Sequence, residues 1–159
     1  MKVKNIIDED FVNYKKPSML IAFPYCDFKC DKECGRAVCQ NSPLANESNI
    51  EISFNYICSR YLSNSITEAL VFQGLDPLDS PSDVYNLIFT LRKRFNCDDD
   101  IVIYTGYNKN EIKSLISKLK FFKNIIIKYG RYIPDQKPHY DEVLGVYLAS
   151  DNQYAEKIS

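Results

Sequence analysis

Residues 19–41 read MLIAFPYCDFKCDKECGRAVCQN, a short apolar run from Met19 to Pro24 that passes straight into cysteines at 26, 30, 34 and 39. An apolar run of that length, stopped by a proline, reads as a buried β-strand. The thiols then sit on the loop at its end. Downstream the pattern repeats. Phe54, Ile57, Cys58, Tyr61 and Leu62 recur at i, i+3, i+4, i+7 and i+8, one apolar helix face with Ser53 as N-cap. Ala69 to Phe72 is a second strand, closed by Gln73-Gly74. Ser80-Pro81-Ser82-Asp83 starts a helix with capping Ser80, a proline in the first turn and an acid three residues after the cap. Val84, Leu87, Ile88, Leu91 and Phe95 form its buried face. Ile101 to Tyr104 is a third strand, closed by Thr105-Gly106. Asn108 and Glu111 resemble a capping box, and Ile112, Leu115, Ile116 and Leu119 carry the next stripe. Ile125 to Tyr129 is a fourth strand, closed by Gly130, and Val143 to Leu148 is a candidate fifth.

This alternation predicts an α/β fold, a parallel sheet with covering helices. Right-handed crossovers place the carboxyl ends of all the strands along one edge, where function sits in such folds. Gly74, Gly106 and Gly130 each follow a strand, and the cysteine loop follows the first. Glycine permits close backbone approach and positive φ, so four strand ends converge on one edge with thiols and accessible backbone.

The chain has 159 residues, 45% hydrophobic and 26% charged, with a net charge of −1. One globular domain over 1–159 is expected. A near-neutral charge gives no electrostatic footprint for nucleic acid or an anionic membrane. No run approaches a membrane span, and the charged start MKVKNIIDEDF has no apolar core of a signal peptide. A cytoplasmic location is expected, where thiols stay reduced. A cluster of cysteines there points to metal ligation within a loop over 25–41.

A 4Fe–4S cluster takes thiolates at separate irons, and a set of three leaves one iron open. Four thiols closing around Zn²⁺ fit the loop as well. Cys26 and Cys30 are the first two candidate ligands. The third is Cys39 or Cys34: apolar Val38 precedes Cys39, whereas charged Glu33 precedes Cys34. Cys58 lies on a helix face and reads as core, and Cys97 carries no assigned role. His139 reads as a surface or turn residue. Most of the tyrosines sit at packing positions. Asp98-Asp99-Asp100 reads as a solvated loop, and Lys118, Lys120 and Lys123 as a solvated helix end.

Four stretches together resemble a known family. They are the cysteine loop ending in Cys39-Gln40-Asn41, the turn Gly74-Leu75-Asp76-Pro77-Leu78, the strand end Ile103-Tyr104-Thr105-Gly106-Tyr107 with Glu111-Ile112, and Gly130-Arg131-Tyr132-Ile133 with Ser150-Asp151-Asn152-Gln153. In order and placement they are similar to the activating proteins of anaerobic ribonucleoside-triphosphate reductase, compact radical S-adenosylmethionine (radical-SAM) enzymes. Two departures stand out. The CxxxCxxC signature is expanded, with Asp31 to Val38 inserted, and Leu75 replaces a glycine.

The resemblance implies a small partial (β/α) barrel and a 4Fe–4S cluster on Cys26, Cys30 and Cys39, with Cys34 as the alternative third ligand. S-adenosyl-L-methionine would chelate the open iron. Gln40, Gly74, Leu75 and Asp76 would line its site, with Tyr104 and Thr105 near the adenosine. A flavodoxin-like or ferredoxin-like donor would supply an electron, and the 5′-deoxyadenosyl radical formed would take a hydrogen atom from a glycine of an anaerobic ribonucleotide reductase. Another target for the same chemistry, or a non-enzymatic Fe–S or Zn module, remains open.

Overall fold

A computed structural model describes residues 1–159. Strands β1 (Lys2–Val3), β2 (Asn5–Asp10) and β3 (Ser18–Phe23) come first, and α1 (Lys29–Cys34) lies in the cysteine loop. Strand β4 (Ile50–Glu51) precedes α2 (Phe54–Leu62). The alternation continues with β5 (Ala69–Gly74), α3 (Pro81–Arg94), β6 (Asp100–Tyr104), α4 (Lys113–Leu119) and β7 (Ile125–Tyr129). Strands β8 (His139–Asp141), β9 (Val146–Leu148) and β10 (Tyr154–Lys157) close the chain.

The central sheet has the order β10-β7-β6-β5-β3-β2. Strands β3, β5, β6 and β7 are parallel neighbours, and β2 and β10 border them antiparallel. The fold is therefore α/β with a mixed, mostly parallel sheet. Parallel neighbours taken in chain order return by crossovers of one hand, which stacks the helices on one face. Ile57, Tyr61, Leu87, Leu91, Ile116 and Leu119 from the helices share one core with Met19, Ile21, Phe72, Ile103 and Ile127 from the sheet. The second face presents Leu20, Val71, Val102 and Ile126 to Tyr14, Leu144 and Leu148. Every residue of β3 and of β7 is buried, as strands covered on both faces must be.

Several local signals act as expected. Ser53 accepts a hydrogen bond from the Tyr56 amide at 3.1 Å, and Asn108 with Glu111 completes a capping box. Ser80 does not cap through its side chain; its backbone carbonyl takes the Asp83 and Val84 amides instead. The segment Val143 to Leu148 is not a strand of the main sheet. Its residues 146–148 pair with β8 in a separate hairpin, and β10 takes the sheet position beside β7. No helix follows β7, and a chain without a crossover can return only antiparallel.

The acidic triplet is also not simply solvated. Asp100 is only 8% exposed and accepts from Tyr14 Oη at 3.1 Å and Lys16 Nζ at 2.5 Å. Asp99 accepts from Tyr61 Oη at 2.6 Å, and exposed Asp98 pairs with Lys123 at 2.6 Å. Buried Arg92 donates to the carbonyls of Cys97, Asp99 and Lys123, fixing the entry into β6. His139 opens β8, and no helix is long and apolar enough to cross a membrane.

Burial opposes ionisation of Asp100, but its hydrogen bonds from Lys16 and Tyr14 outweigh that and hold its pKa below the usual carboxylate value. A group depressed in this way stabilises the fold above its unfolded pKa of ~4 and loses that contribution as pH falls through the folded value. Asp100→Asn is expected to lower the urea midpoint at pH 7 and to flatten the decline in stability below pH ~4. Urea titrations across that range check both.

Candidate metal centre

The carboxyl ends of the parallel strands enclose a cavity of about 300 Å³. Cys26, Cys30, Cys39, Gln40, Gly74, Leu75, Asp76, Tyr104 and Thr105 all line it. Cys34 does not. It sits at the end of α1, one turn beyond Cys30. The connection before β3, through Val12 and Asn13, and the segment from Val146 to Ala149 form the far wall.

The cysteine loop is held to its neighbours by named contacts. The amides of Leu75 and Asp76 donate to the carbonyls of Phe23 and Tyr25, so the β5 exit runs beside the β3 exit. Gly74 is required there. Its φ is +92°, and a Cβ would lie 2.8 Å from Ala22 Cα. Asn41 Nδ2 donates to the Gly74 carbonyl at 2.7 Å, tying the end of the cysteine loop to that turn. Asp79 accepts the Asp27 amide at 2.8 Å and the Tyr107 hydroxyl at 2.6 Å. Lys29 Nζ lies 3.9 Å from the centre of the Tyr107 ring, a cation–π contact.

The insertion between Asp31 and Val38 closes on itself. Asp31 Oδ1 accepts the amides of Val38 and Cys39, both at 2.8 Å. The extra residues thus bulge outward while Cys39 stays at the cavity. Arg131 holds the other side. It makes a bidentate pair with Glu111 at 2.7 and 2.9 Å. Its Nε lies 3.1 Å from Glu33 Oε1, off the N–H direction, so that contact is an ion pair without a hydrogen bond.

Asp76 serves the frame rather than the open space. Its buried carboxylate accepts from the Leu78 amide at 2.9 Å, from the Thr105 hydroxyl at 2.9 Å and from the Gly106 amide at 2.8 Å. Burial pushes its pKa up to about 6, although these donors and their dipoles favour the ion. Thr105 is thereby committed to Asp76, and Tyr104 donates to the Asn13 carbonyl at 2.5 Å. The two stretches that ended the sequence pattern also meet: Asn152 Nδ2 donates to the Arg131 carbonyl and Gln153 Nε2 to that of Gly130.

Two of the thiols, Cys26 and Cys30, are buried enough to resist ionisation. Burial pushes Cys26 up to about 12, against a hydrogen bond from the Phe28 amide to its sulfur at 3.3 Å. Burial raises Cys30 as well, offset by the Tyr132 amide and by the cations Lys128 and Arg131. Metal binding here must release protons, and these donors and cations favour the thiolates that remain. A single tetrahedral ion with metal–sulfur bonds of ~2.3 Å would gather its sulfurs within ~4.6 Å. No three cysteine sulfurs lie within 4.8 Å of one another; the trio that does is Cys26, Asp27 and Asp79. Thiols spread around a cavity suit a polynuclear cluster, in which each binds a different iron.

The sequence pattern does not announce Asp31 or Asp79, whose partners are distant or inside the loop. Lys128 has one signal: it is the charged residue in the apolar strand IIIKY. Burial lowers its pKa to about 8, against the attraction of Asp76 and Cys30.

A family model described as a 4Fe-4S single cluster domain matches residues 18–153, from the start of β3 to Gln153. No match is found among curated proteins or among solved structures.

Asp31→Ala removes the acceptor that folds the insertion back. It is expected to raise the alkylation rate of Cys39 in metal-free protein several-fold, with Cys26 little changed. Timed iodoacetamide labelling and peptide mass spectrometry read each thiol separately.

Proposed function

Because the chain belongs to the 4Fe-4S single cluster domain family, we propose that it is a radical-SAM protein which uses a 4Fe–4S cluster and S-adenosyl-L-methionine to generate a glycyl radical on an anaerobic ribonucleotide reductase. One observation carries the proposal: Cys26, Cys30 and Cys39 share a cavity with the backbone of three further strand ends, and Cys34 lies outside it. Three thiolates would hold the cluster and leave one position open. Helices on one sheet face and a cavity on the other suit a small partial (β/α) barrel.

A cluster held by these thiolates would supply the electron that cleaves SAM, and the cofactors would carry the hard chemistry. The chain's own residues position and exclude. Gly74, with no Cβ to strike Ala22, lets the turn at 74–76 run tight against the end of β3 at the cavity. Leu75, buried, keeps apolar bulk beside it. Asp76 locks Thr105 and Gly106 so that two strand ends cannot separate. Val12 and Tyr147 line the opening. A flavodoxin-like or ferredoxin-like protein is the donor class, and the reductase is chosen over other targets on the motifs at the four strand ends.

Anaerobic reconstitution with iron and sulfide tests the ligand set. Cys39→Ala is expected to lose most cluster iron and the broad absorption near ~400 nm, with Cys34→Ala close to wild type. The converse result moves the third ligand to Cys34. Reduced, loaded protein mixed with SAM should release 5′-deoxyadenosine; none released at full iron content ends the SAM assignment. A glycyl EPR doublet on added reductase identifies the target.

A further inference from the structure

The chain carries 20 cations and 21 acids, and the near-neutral sum hides how they are placed. No Asp or Glu occurs between Val84 and Cys97, or between Ile112 and Asn124. Those stretches make up most of α3, all of α4 and the turns that follow them. Lys93, Arg94, Lys113, Lys118 and Lys120 are exposed there, and none pairs with a carboxylate. Exposed Lys123 shares its charge with Asp98.

Aromatic rings lie among these cations. Tyr85, Phe89 and Lys93 recur at i, i+4 and i+8, so they share one face of α3. Tyr85 stacks on Phe89 with ring centres 6.4 Å apart and meets Phe122 edge-on at 5.2 Å, which joins that face to the end of α4. Phe122 is buried, but Phe121 beside it is 87% exposed, with Lys118, Lys120 and Lys123 close by in the chain. Apolar groups gathered at a surface in this way mark a site of contact.

The charge and the residue types favour one occupant. Four of the five unpaired cations are lysines, which protein interfaces disfavour and arginine replaces. A layer of anionic headgroups needs only point charges, and long lysine stems can snorkel around an inserted ring. Tyr85 and Phe89 stack on each other, which leaves less of either ring for a nucleic-acid base. We infer that the α3–α4 face seats this protein on an anionic membrane surface, with Phe121 entering the headgroup layer and Lys93, Lys118 and Lys120 meeting lipid phosphates. The cavity opens beyond the other face of the sheet, so its mouth stays free. Neither the cluster nor SAM takes part.

Flotation of the iron-loaded protein with lipid vesicles tests it, one set pure phosphatidylcholine and the other equal parts phosphatidylcholine and phosphatidylglycerol. Binding is expected to the mixed vesicles alone and should fade as salt rises. Lys118→Gln with Lys120→Gln should weaken it by about tenfold or more, since each charge near the surface counts for about fivefold. Lys2→Gln with Lys137→Gln removes as much charge from exposed positions elsewhere and should leave binding near wild type. The chain has no tryptophan, so Phe121→Trp adds a single reporter whose emission should move to the blue on the mixed vesicles only. Melting midpoints confirm that each variant is folded. A wild type that floats with neither set, or equally with both, overturns the inference, as does equal loss from the two lysine pairs. An unmoved emission in a protein that floats shows that another face carries the binding and overturns it as well. Poly-L-glutamate and oligo(dT) are run beside the vesicles. Binding to either in place of the vesicles, lost with Lys118 and Lys120, gives the face to an acidic protein or a nucleic acid and overturns the lipid assignment.

Discussion

Four strands that run the same way deliver four chain exits to one edge, and everything at the candidate centre depends on those exits being level. The parallel register from β3 through β7 sets their height. Side chains and backbone amides then lash each exit to the next. Phe23 and Tyr25 take the amides of Leu75 and Asp76, Asp76 takes Thr105 and Gly106, and Thr105 in turn donates its amide to the Lys128 carbonyl. The chain of contacts crosses the whole parallel core. A carboxylate as buried as Asp76 is tolerable because its donors come from two different loops, so it rigidifies as well as connects.

The loop carrying the thiols could not be held by apolar packing, since α1 buries no residue. It is held by polar contacts instead: Asp31 on its own amides, Asp79 on Asp27, Asn41 on Gly74, and Arg131 between Glu33 and Glu111. Such contacts are individually modest at a surface. Their directions matter more than their sum, because they set where three sulfurs lie before any metal arrives. Lys128 and Arg131 then add positive charge on the side where thiolate charge would accumulate.

The four parallel strands and the main helices were legible because each buries a continuous or periodic apolar set; IVIY and IIIKY leave little choice. The border strands were not. Strand β2, NIIDED, buries only Asp10, and β10, YAEK, buries none, so their pairing is decided by the neighbour and not by their own pattern. The hairpin of β8 and β9 failed for a related reason: residues 146–148 look like any short strand, and only the missing crossover helix excludes them from the sheet. At the centre, thiols and glycines were legible as residue types at strand ends. Asp31 and Asp79 act through tertiary neighbours, and Asp100 was not distinguished because two identical acids stand before it in the chain, although it alone of the three is buried.

The two borders of the sheet have a further consequence. A bare β-edge is a template on which a second molecule can polymerise. Here both margins are antiparallel and carry charge at the rim, Asp8 and Glu9 on one side and Glu156 and Lys157 on the other. Ladder growth from molecule to molecule is discouraged in both directions. Apolar side chains also reach solvent around the mouth of the pocket, at Val12 and Tyr147, so a visitor to the pocket meets apolar surface there.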